Sequence, residues 1–107
     1  MMREPAIQRM IVDLKSSDNR VQITGYVKEI VGNDYIILDD KTGDIKVNIK
    51  NIEFLFKQNA LINVIGELNI TMGGEKEVGA EIIQDKKSLN FEYYEKLYDI
   101  KKELKLV

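Results

Sequence analysis

The sequence predicts an all-β domain, a small five-stranded barrel, with a helix at its C-terminal end. Three segments of alternating apolar and polar residues lie between residues 21 and 49, joined by two turn signals. Two further alternating segments follow between residues 61 and 82, whereas residues 90–107 carry apolar side chains at helical spacing. A period of two indicates half-buried strands, and spacings of three and four indicate one face of a helix. The pattern therefore predicts the strands first and the helix last.

The first three predicted strands form a meander. They cover residues 21–28, 35–39 and 45–49. Residues 32–34 (GND) and 40–44 (DKTGD) separate them. These segments favour turns, because glycine enters the left-handed region without strain and aspartate or asparagine side chains bond nearby amides. Short turns between consecutive strands make the pairing antiparallel.

After the third strand the sequence predicts a short helix. Asn51 is a suitable N-cap, and Ile52, Leu55 and Phe56 would lie on one face of about two helical turns. In a small closed barrel, a helix at this point in the chain covers one open end.

The fourth strand is predicted over residues 61–71 and the fifth over residues 78–82, with a glycine-containing turn between them. The chain order is then three strands, a short helix and two strands. Five strands with a helix at this place are the layout of the OB-fold, a partly open Greek-key barrel. We predict three parts: a lead-in over residues 1–20, a barrel over residues 21–84 and a long C-terminal assembly helix over residues 89–107.

The N-terminal segment is predicted to pack against the barrel. Ile7, Met10, Ile11 and Leu14 have the spacing of a short helical stripe. The alternative is an extended segment that folds over the end of the barrel. Either conformation would place these apolar side chains against the strands.

The C-terminal helix is predicted to begin after an N-cap at Asn90 or Ser88 and to carry a heptad seam, with Tyr94 and Tyr98 beside it. Two interpretations are open: the seam packs on the chain's own barrel, or it packs on a helix of a partner. The stripe would run the whole helix, about 25 Å at 1.5 Å per residue, which favours a partner. The residues predicted to face that partner are Tyr93, Tyr94, Leu97, Ile100, Leu104 and Val107.

Composition excludes several kinds of chemistry. The chain has 107 residues, a net charge of −2, and neither cysteine nor histidine. Disulfides, thiol nucleophiles and the usual zinc ligands are therefore excluded, as are Ser-His and Cys-His catalytic pairs. The sequence contains no apolar run long enough to cross a bilayer and no signal-peptide pattern. We expect a cytoplasmic protein that is not an enzyme and holds no metal or cofactor.

A candidate nucleic-acid face lies on the second and third predicted strands. Residues 21–84 hold ten Asp and Glu against six Lys, a balance of −4, so phosphate contacts alone would bind weakly. Lysines still project from one face of the third strand, and strand tyrosines could stack on bases. The alternative is an ordinary solvated face. The candidate residues are Tyr26, Lys28, Tyr35, Lys46, Asn48 and Lys50.

Several strings of residues resemble one family. Four lie in the barrel: ITGYV at residues 23–27, YIILDDKTG at 35–43, VIGEL at 64–68 and AEIIQD at 80–85. With the opening EPAIQR and the C-terminal helix, they make the chain similar to the small OB-fold subunits of archaeal replication protein A. Lys41 departs from the family pattern, which commonly has glycine there, so this turn must form with a lysine.

This resemblance implies a non-catalytic subunit of a single-stranded-DNA-binding heterotrimer, held together by a bundle of three C-terminal helices, one from each subunit. Residues 90–107 would join that bundle with larger OB-fold subunits. The contact of this chain with DNA would be weak or auxiliary, and the complex would be associated with the nucleoid. The alternative is a stand-alone OB module that binds single-stranded DNA or RNA directly, such as a tRNA-type or telomere-type adaptor.

Overall fold

The structure is a computed structural model that describes residues 5–106. Within this range, six strands and one α-helix follow each other along the chain, with a three-residue 3-10 turn, Ile11–Asp13, after the first strand. The elements are β1 (Ile7–Gln8), β2 (Arg20–Val31), β3 (Tyr35–Asp39), β4 (Asp44–Asn48), β5 (Leu61–Ile70), β6 (Lys76–Asp85) and α1 (Phe91–Glu103).

Strands β2 to β6 close into a mixed barrel. The strand order is β1-β2-β3-β4-β6-β5, and the further antiparallel pairing of β2 with β5 closes the sheet on itself. β2, β3 and β4 form the predicted antiparallel meander, whereas β4 and β6 run parallel. The predicted five-stranded Greek-key barrel with a C-terminal helix is confirmed. The two residues of β1 add a short parallel strand beside β2, which the sequence pattern did not indicate.

The core lies inside the barrel, where the alternating apolar residues meet. Ile23 of β2 pairs with Val64 of β5, and Val27 pairs with Leu38 of β3. Burying such a side chain contributes about 1.5–3 kcal/mol, so the alternation that predicts each strand also supplies the force that closes the barrel. The core residues are Leu14, Val21, Ile23, Val27, Ile36, Leu38, Ile45, Val47, Ile49, Ile62, Val64, Leu68, Val78 and Ala80.

One glycine marks where two strands approach most closely. A Cβ atom built on Gly66 would lie 2.1 Å from the carbonyl oxygen of Gly79. The register of the β5–β6 pair shifts between Ile65 and Gly66, at the same point. The barrel can therefore close here only because residue 66 has no side chain.

The prediction of a short helix between the third and fourth barrel strands was wrong. Residues 49–60 form turns and extended chain, in which Ile52, Phe54 and Phe56 alternate inward and pack against the core. Leu55, which was predicted to share a helical face with two of them, is 75% exposed. Ile52, Phe54 and Phe56 are spaced two residues apart, which is the spacing of an extended chain and not of a helix. An extended chain can therefore turn all three side chains towards the core.

The N-terminal stripe forms no α-helix in the described residues. After β1 the chain makes only the 3-10 turn, which places Leu14 in the barrel core and Met10 in a second apolar cluster. Asp40 is fully buried, and its carboxylate accepts the backbone N–H of Ile11 at 2.6 Å and bonds Thr42 within its own turn. The turn between β3 and β4 therefore fixes the N-terminal segment. Residues 1–4 of the predicted lead-in lie outside the described residues.

Helix α1 has clear signals at both ends. The side chain of Asn90 accepts the backbone N–H of Tyr93 at 3.0 Å, which confirms one of the two predicted N-caps. At the other end, Lys105 adopts a φ of 58°, and the N–H of Leu106 bonds back to the carbonyl of Lys101 at 2.8 Å. This is the six-to-one bond of a Schellman motif. It stops the helix short of its predicted end, although a lysine occupies a position that favours glycine.

Candidate assembly helix and nucleic-acid face

Helix α1 packs on the outside of the barrel through aromatic side chains spaced three and four residues apart. Phe91 and Tyr98 are 4% and 2% exposed, and with Met10 and Leu61 they form a second apolar cluster. Tyr94 packs against this cluster, with its ring stacked on that of Phe91 at a centroid distance of 5.8 Å. We call Phe91, Tyr94 and Tyr98 the docked face. The sequence left open whether the helix packs on the chain's own barrel or on a partner helix. The docked face packs on the chain's own barrel.

Polar contacts add to the docked face. The hydroxyl of Tyr98 donates to Oδ2 of Asp13 at 3.0 Å, and Nζ of Lys102 donates to Oδ1 of the same carboxylate at 2.8 Å. Burial by itself would raise the pKa of Asp13, but these two hydrogen bonds outweigh it and hold the pKa below its ordinary value. Burial likewise raises the pKa of Tyr98. The carboxylate thus ties the helix to the 3-10 turn.

The predicted heptad seam is a different stripe of α1, and it faces away from the barrel. Its described members are 64%, 39%, 53% and 64% exposed, and we call them the exposed seam: Tyr93, Leu97, Ile100 and Leu104. Val107, the last predicted member, lies outside the described residues. Tyr94 was predicted to face a partner, but it lies on the docked face and accepts a hydrogen bond from Gln8 at 2.9 Å.

The sequence reasoning missed Phe91 as a functional position, and it placed Tyr98 only beside the seam. A signal was present, because Phe91, Tyr94 and Tyr98 have the spacing i, i+3, i+7 of a second apolar stripe. One helix with two apolar stripes can bury one of them on its own barrel and still present the other.

Four of the six candidate nucleic-acid residues lie together at one end of β3 and β4. Tyr35 pairs with Asn48 across the two strands, and Nζ of Lys46 lies 4.2 Å from the centre of the Tyr35 ring. Lys50 follows in the next turn, where its backbone N–H bonds the side chain of Asn48 at 2.9 Å. We call Tyr35, Lys46, Asn48 and Lys50 the basic cluster. It presents an aromatic ring, two ammonium groups and an amide in one small depression, which the carboxylates of Asp34 and Glu77 also line.

The other two candidates lie elsewhere. Tyr26 lies next to α1, with its ring edge-on to Phe91 at 5.2 Å, because residue 26 faces the outer side of β2 that the helix covers. Lys28 sits at a register shift of β2, where it forms a salt bridge with Asp44 at 2.9 Å that raises the lysine pKa. The structure therefore does not bring either side chain into the basic cluster.

A neighbouring groove extends the basic cluster towards the β5–β6 hairpin. Its lining brings residues 74–76 of the hairpin close to Tyr35, Ile37 and Lys46. The sequence reasoning did not select Ile37 or Lys76 for this surface. Carboxylates interrupt the positive charge, since Glu77 pairs in register with Lys46 and Glu75 lines the groove. A surface with such mixed charge offers few phosphate contacts, which limits its affinity for nucleic acid.

Two general properties bear on the site. Across residues 5–106, no group of three or more Asp and Glu side chains is arranged to hold a metal ion. Likewise, no helix in this range is long and apolar enough to span a membrane.

No protein-family model matches the chain, and no curated protein sequence matches it. Solved structures do match. The S. pombe Stn1-Ten1 complex aligns with a TM-score of 0.76 and 13% identity over 94% of this chain and 94% of that chain. A replication protein A heterotrimer bound to single-stranded DNA aligns with a TM-score of 0.61 and 15% identity, over 83% of this chain and 75% of that one.

The second OB-fold domain of replication protein A from Methanococcus maripaludis aligns with a TM-score of 0.56 and 20% identity, over 74% of this chain and 94% of that domain. At identities this low, structural likeness establishes the fold and no more. The closed barrel of β2 to β6 and its Greek-key strand order agree with that likeness. This chain is an OB-fold protein with a C-terminal helix packed on the outside of its barrel.

Proposed function

We propose that this chain is a non-catalytic subunit of a single-stranded-DNA-binding complex of OB-fold proteins, and that it joins the complex through the exposed seam of α1. The complex would hold larger OB-fold subunits and resemble replication protein A, with one helix of each subunit in a three-helix bundle. The DNA contact of this chain would be weak and auxiliary.

The exposed seam is the observation that carries this proposal. Leu97 and Ile100 lie mid-helix, and both remain exposed although the same helix buries two aromatic residues on the barrel. Isolated apolar side chains on a surface need no explanation, but four in a continuous heptad stripe form the contact surface of a helix bundle. Solved structures with this fold include a heterotrimer and the Stn1-Ten1 complex, which supports assembly as the role of such a chain.

The basic cluster supports an auxiliary contact with DNA. Tyr35 offers a ring on which a base can stack, and Lys46 and Lys50 offer charge for the phosphates on either side. The neighbouring carboxylates weaken the positive electrostatic field of the two lysines. This cluster would therefore contribute to a site shared with other subunits rather than hold DNA alone.

The second candidate is a stand-alone module that binds single-stranded DNA or RNA directly. The observation that favours it is the geometry of the basic cluster, in which ring, amide and ammonium groups meet without help from another chain. The two candidates differ in what the isolated chain does: a stand-alone module binds an oligonucleotide tightly and with strong salt dependence.

The experiment compares partners captured by tagged full-length protein in cells of the source organism, identified by mass spectrometry. We expect the wild type to co-purify with larger OB-fold proteins and the variant Leu97→Asp/Ile100→Asp to lose them. The variant Lys46→Ala/Lys50→Ala is the matched control and should keep them. If the wild type captures no OB-fold protein, or if the isolated chain alone binds a 20-mer oligonucleotide tightly, the assembly proposal is wrong.

A further inference from the structure

A row of residues in register joins the basic cluster to a second groove on the outer face of the barrel. We propose that this groove holds one base of a single DNA strand and selects guanine, through hydrogen bonds from the base to the carboxylate of Glu67. The inference rests on the DNA contact in the proposed function, and it adds a base preference that the basic cluster alone does not supply.

The strand register sets the row. Tyr35 of the basic cluster pairs with Asn48, and Asn48 pairs with Gly79 on the parallel strand β6. Gly79 pairs in turn with Glu67, so the row crosses β3, β4, β6 and β5. The residue that follows each of these four is buried, so the four themselves face out of the barrel. Because adjacent strands lie about 4.8 Å apart, Asn48 and Glu67 flank Gly79 with about 10 Å between their backbones.

Gly79 leaves a gap in this row that the fold does not require. A Cβ atom added there would lie 3.5 Å from Nδ2 of Asn69, an ordinary contact, and the φ of Gly79 is not positive. The close approach to Gly66 is made by the carbonyl oxygen of Gly79, so it does not require glycine at residue 79 either. Glycine inside a strand costs stability, and close approach of a ligand is a physical reason to have it. We call the space over Gly79 the glycine gap.

Polar side chains without partners line the groove around the glycine gap. The polar residues of the lining are Asn48, Asn51, Glu67, Asn69 and Glu81. Within residues 5–106, the side chains of Asn51, Glu67 and Asn69 form no hydrogen bond or ion pair. Glu81 differs, because its carboxylate is bonded to Nε of Arg20 at 2.7 Å. The groove therefore offers a carboxylate and two amides that are ready to bind a ligand.

This set of groups matches guanine better than it matches the other DNA bases. Guanine carries N1–H and N2–H₂ donors side by side, and the two oxygens of the Glu67 carboxylate can accept both. Its O6 and N7 are acceptors, for which the side-chain amides of Asn48 and Asn69 supply donors. Adenine and cytosine each offer one amino group and thymine one ring N–H, so none of them presents two adjacent donors. A phosphate would be repelled by Glu67, which favours the base over the backbone of DNA in this groove.

The position of the groove favours a nucleotide over an arginine side chain, which also presents adjacent donors. Asn48 lines both the groove and the depression of the basic cluster. A DNA strand can use both surfaces at once, with a phosphate at Lys50, one base on the ring of Tyr35 and a neighbouring base in the glycine gap. An arginine would use the carboxylate alone.

The test is an NMR titration of the isotope-labelled full-length protein, which detects weak binding. The probes are short oligothymidylates with the central base replaced by guanine, hypoxanthine, adenine or cytosine. We expect the guanine probe to bind roughly tenfold more tightly than the all-thymine probe, given one bidentate pair. The hypoxanthine probe lacks the N2 amino group and should lose most of this advantage. The guanine probe should also shift the signals of the Gly79 backbone amide and the Asn69 side-chain amide further than the other probes do.

Substitutions in the groove give the decisive comparison. Glu67→Gln keeps the shape of the side chain but removes one acceptor oxygen, so it should abolish the preference for guanine and retain binding of the thymine probe. Gly79→Val fills the glycine gap and should do the same. Gly79→Ala should melt no lower than the wild type, because the added Cβ atom has room. Glu29→Gln is the matched control, since Glu29 is an exposed strand carboxylate outside the groove, and it should keep the preference.

Three outcomes would overturn the proposal. They are equal binding of the guanine and thymine probes, a preference for guanine that survives Glu67→Gln, and a Gly79→Ala protein that melts well below the wild type. Failure of the proposed function has a different signature. If no probe shifts any signal, the DNA contact fails as a whole. If the thymine probe shifts the signals of Tyr35 and Lys46 but guanine adds nothing, only the guanine site fails, and partner capture is unaffected by either result.

Discussion

The hydroxyl of Tyr98 donates a hydrogen bond to Asp13 at 3.0 Å and so joins the C-terminal helix to the turn that precedes the barrel. Lys102 binds the other oxygen of the same carboxylate, and Tyr98 itself is buried. One face of α1 is therefore committed to the chain's own barrel. The large apolar side chains that this helix leaves exposed among the described residues belong to the exposed seam or follow it at Leu106, which restricts how an assembly through this helix can be built.

The contribution of Asp13 to stability is expected to depend on pH. Its folded-state pKa lies below the ordinary value of 3.8, so the carboxylate stabilises the fold fully above that value and loses this contribution as pH falls through the folded pKa. The melting temperature of Asp13→Asn should therefore lie below that of the wild type at pH 7, and the difference should shrink by pH 3. Thermal unfolding monitored by circular dichroism gives the melting temperatures of the two proteins at each pH. A difference that stays constant from pH 7 to pH 3 would show that the charge of Asp13 does not hold the helix.

Truncation on the docked face should cost far more stability than truncation on the seam. Phe91→Ala removes a buried ring, and such changes cost about 3–5 kcal/mol of unfolding free energy. Tyr93→Ala, two residues further along the helix on the exposed seam, should change this free energy by less than about 0.5 kcal/mol. Urea denaturation of both variants gives the comparison. Equal losses would mean that the helix is not docked on the barrel as described.

Gly66→Ala is expected to destabilise the barrel by about 1–3 kcal/mol or more, as overpacking does in tight interiors. The added Cβ would lie 2.1 Å from the carbonyl oxygen of Gly79, and backbone cannot move away as a side chain can. Gly73→Ala is the control, because a Cβ atom added at Gly73 would lie 4.0 Å from its nearest neighbour, Oγ1 of Thr71. Chemical denaturation of the two variants should separate them clearly, and a Gly66→Ala protein as stable as the wild type would contradict this register.

The basic cluster is tested through the salt dependence of the assembled complex. If Lys46 and Lys50 each neutralise a phosphate, Lys46→Ala/Lys50→Ala should flatten the slope of log affinity against log salt by about 1.4 units on single-stranded DNA. Lys57→Ala/Lys87→Ala removes the same charge from exposed positions outside the cluster and should leave the slope nearly unchanged. Oligonucleotide titrations from 50 to 300 mM salt give the slopes. Identical slopes for the two double variants would make the cluster an ordinary solvated face.

Much of the fold was predictable because its signals are local. Alternation from residue 21 to residue 49 and again from residue 61 predicts the barrel strands, and Asn90 marks the start of the helix. The segment between β4 and β5 was mistaken for a helix because Ile52, Leu55 and Phe56 fit a helical face. Phe54 fits the alternative period of two, and only the position of the barrel core decides between the two patterns.

The candidate sites depended more on tertiary structure. The sequence by itself determined that β4 carries Lys46 and Asn48 on one side and that the last helix carries apolar stripes, because side-chain direction follows from strand and helix periods. Only the tertiary structure decided which stripe faces inward: Met10 and Leu61 form an apolar surface that fits Phe91 and Tyr98. These residues come from distant parts of the chain. Their meeting depends on barrel closure, which no local pattern encodes.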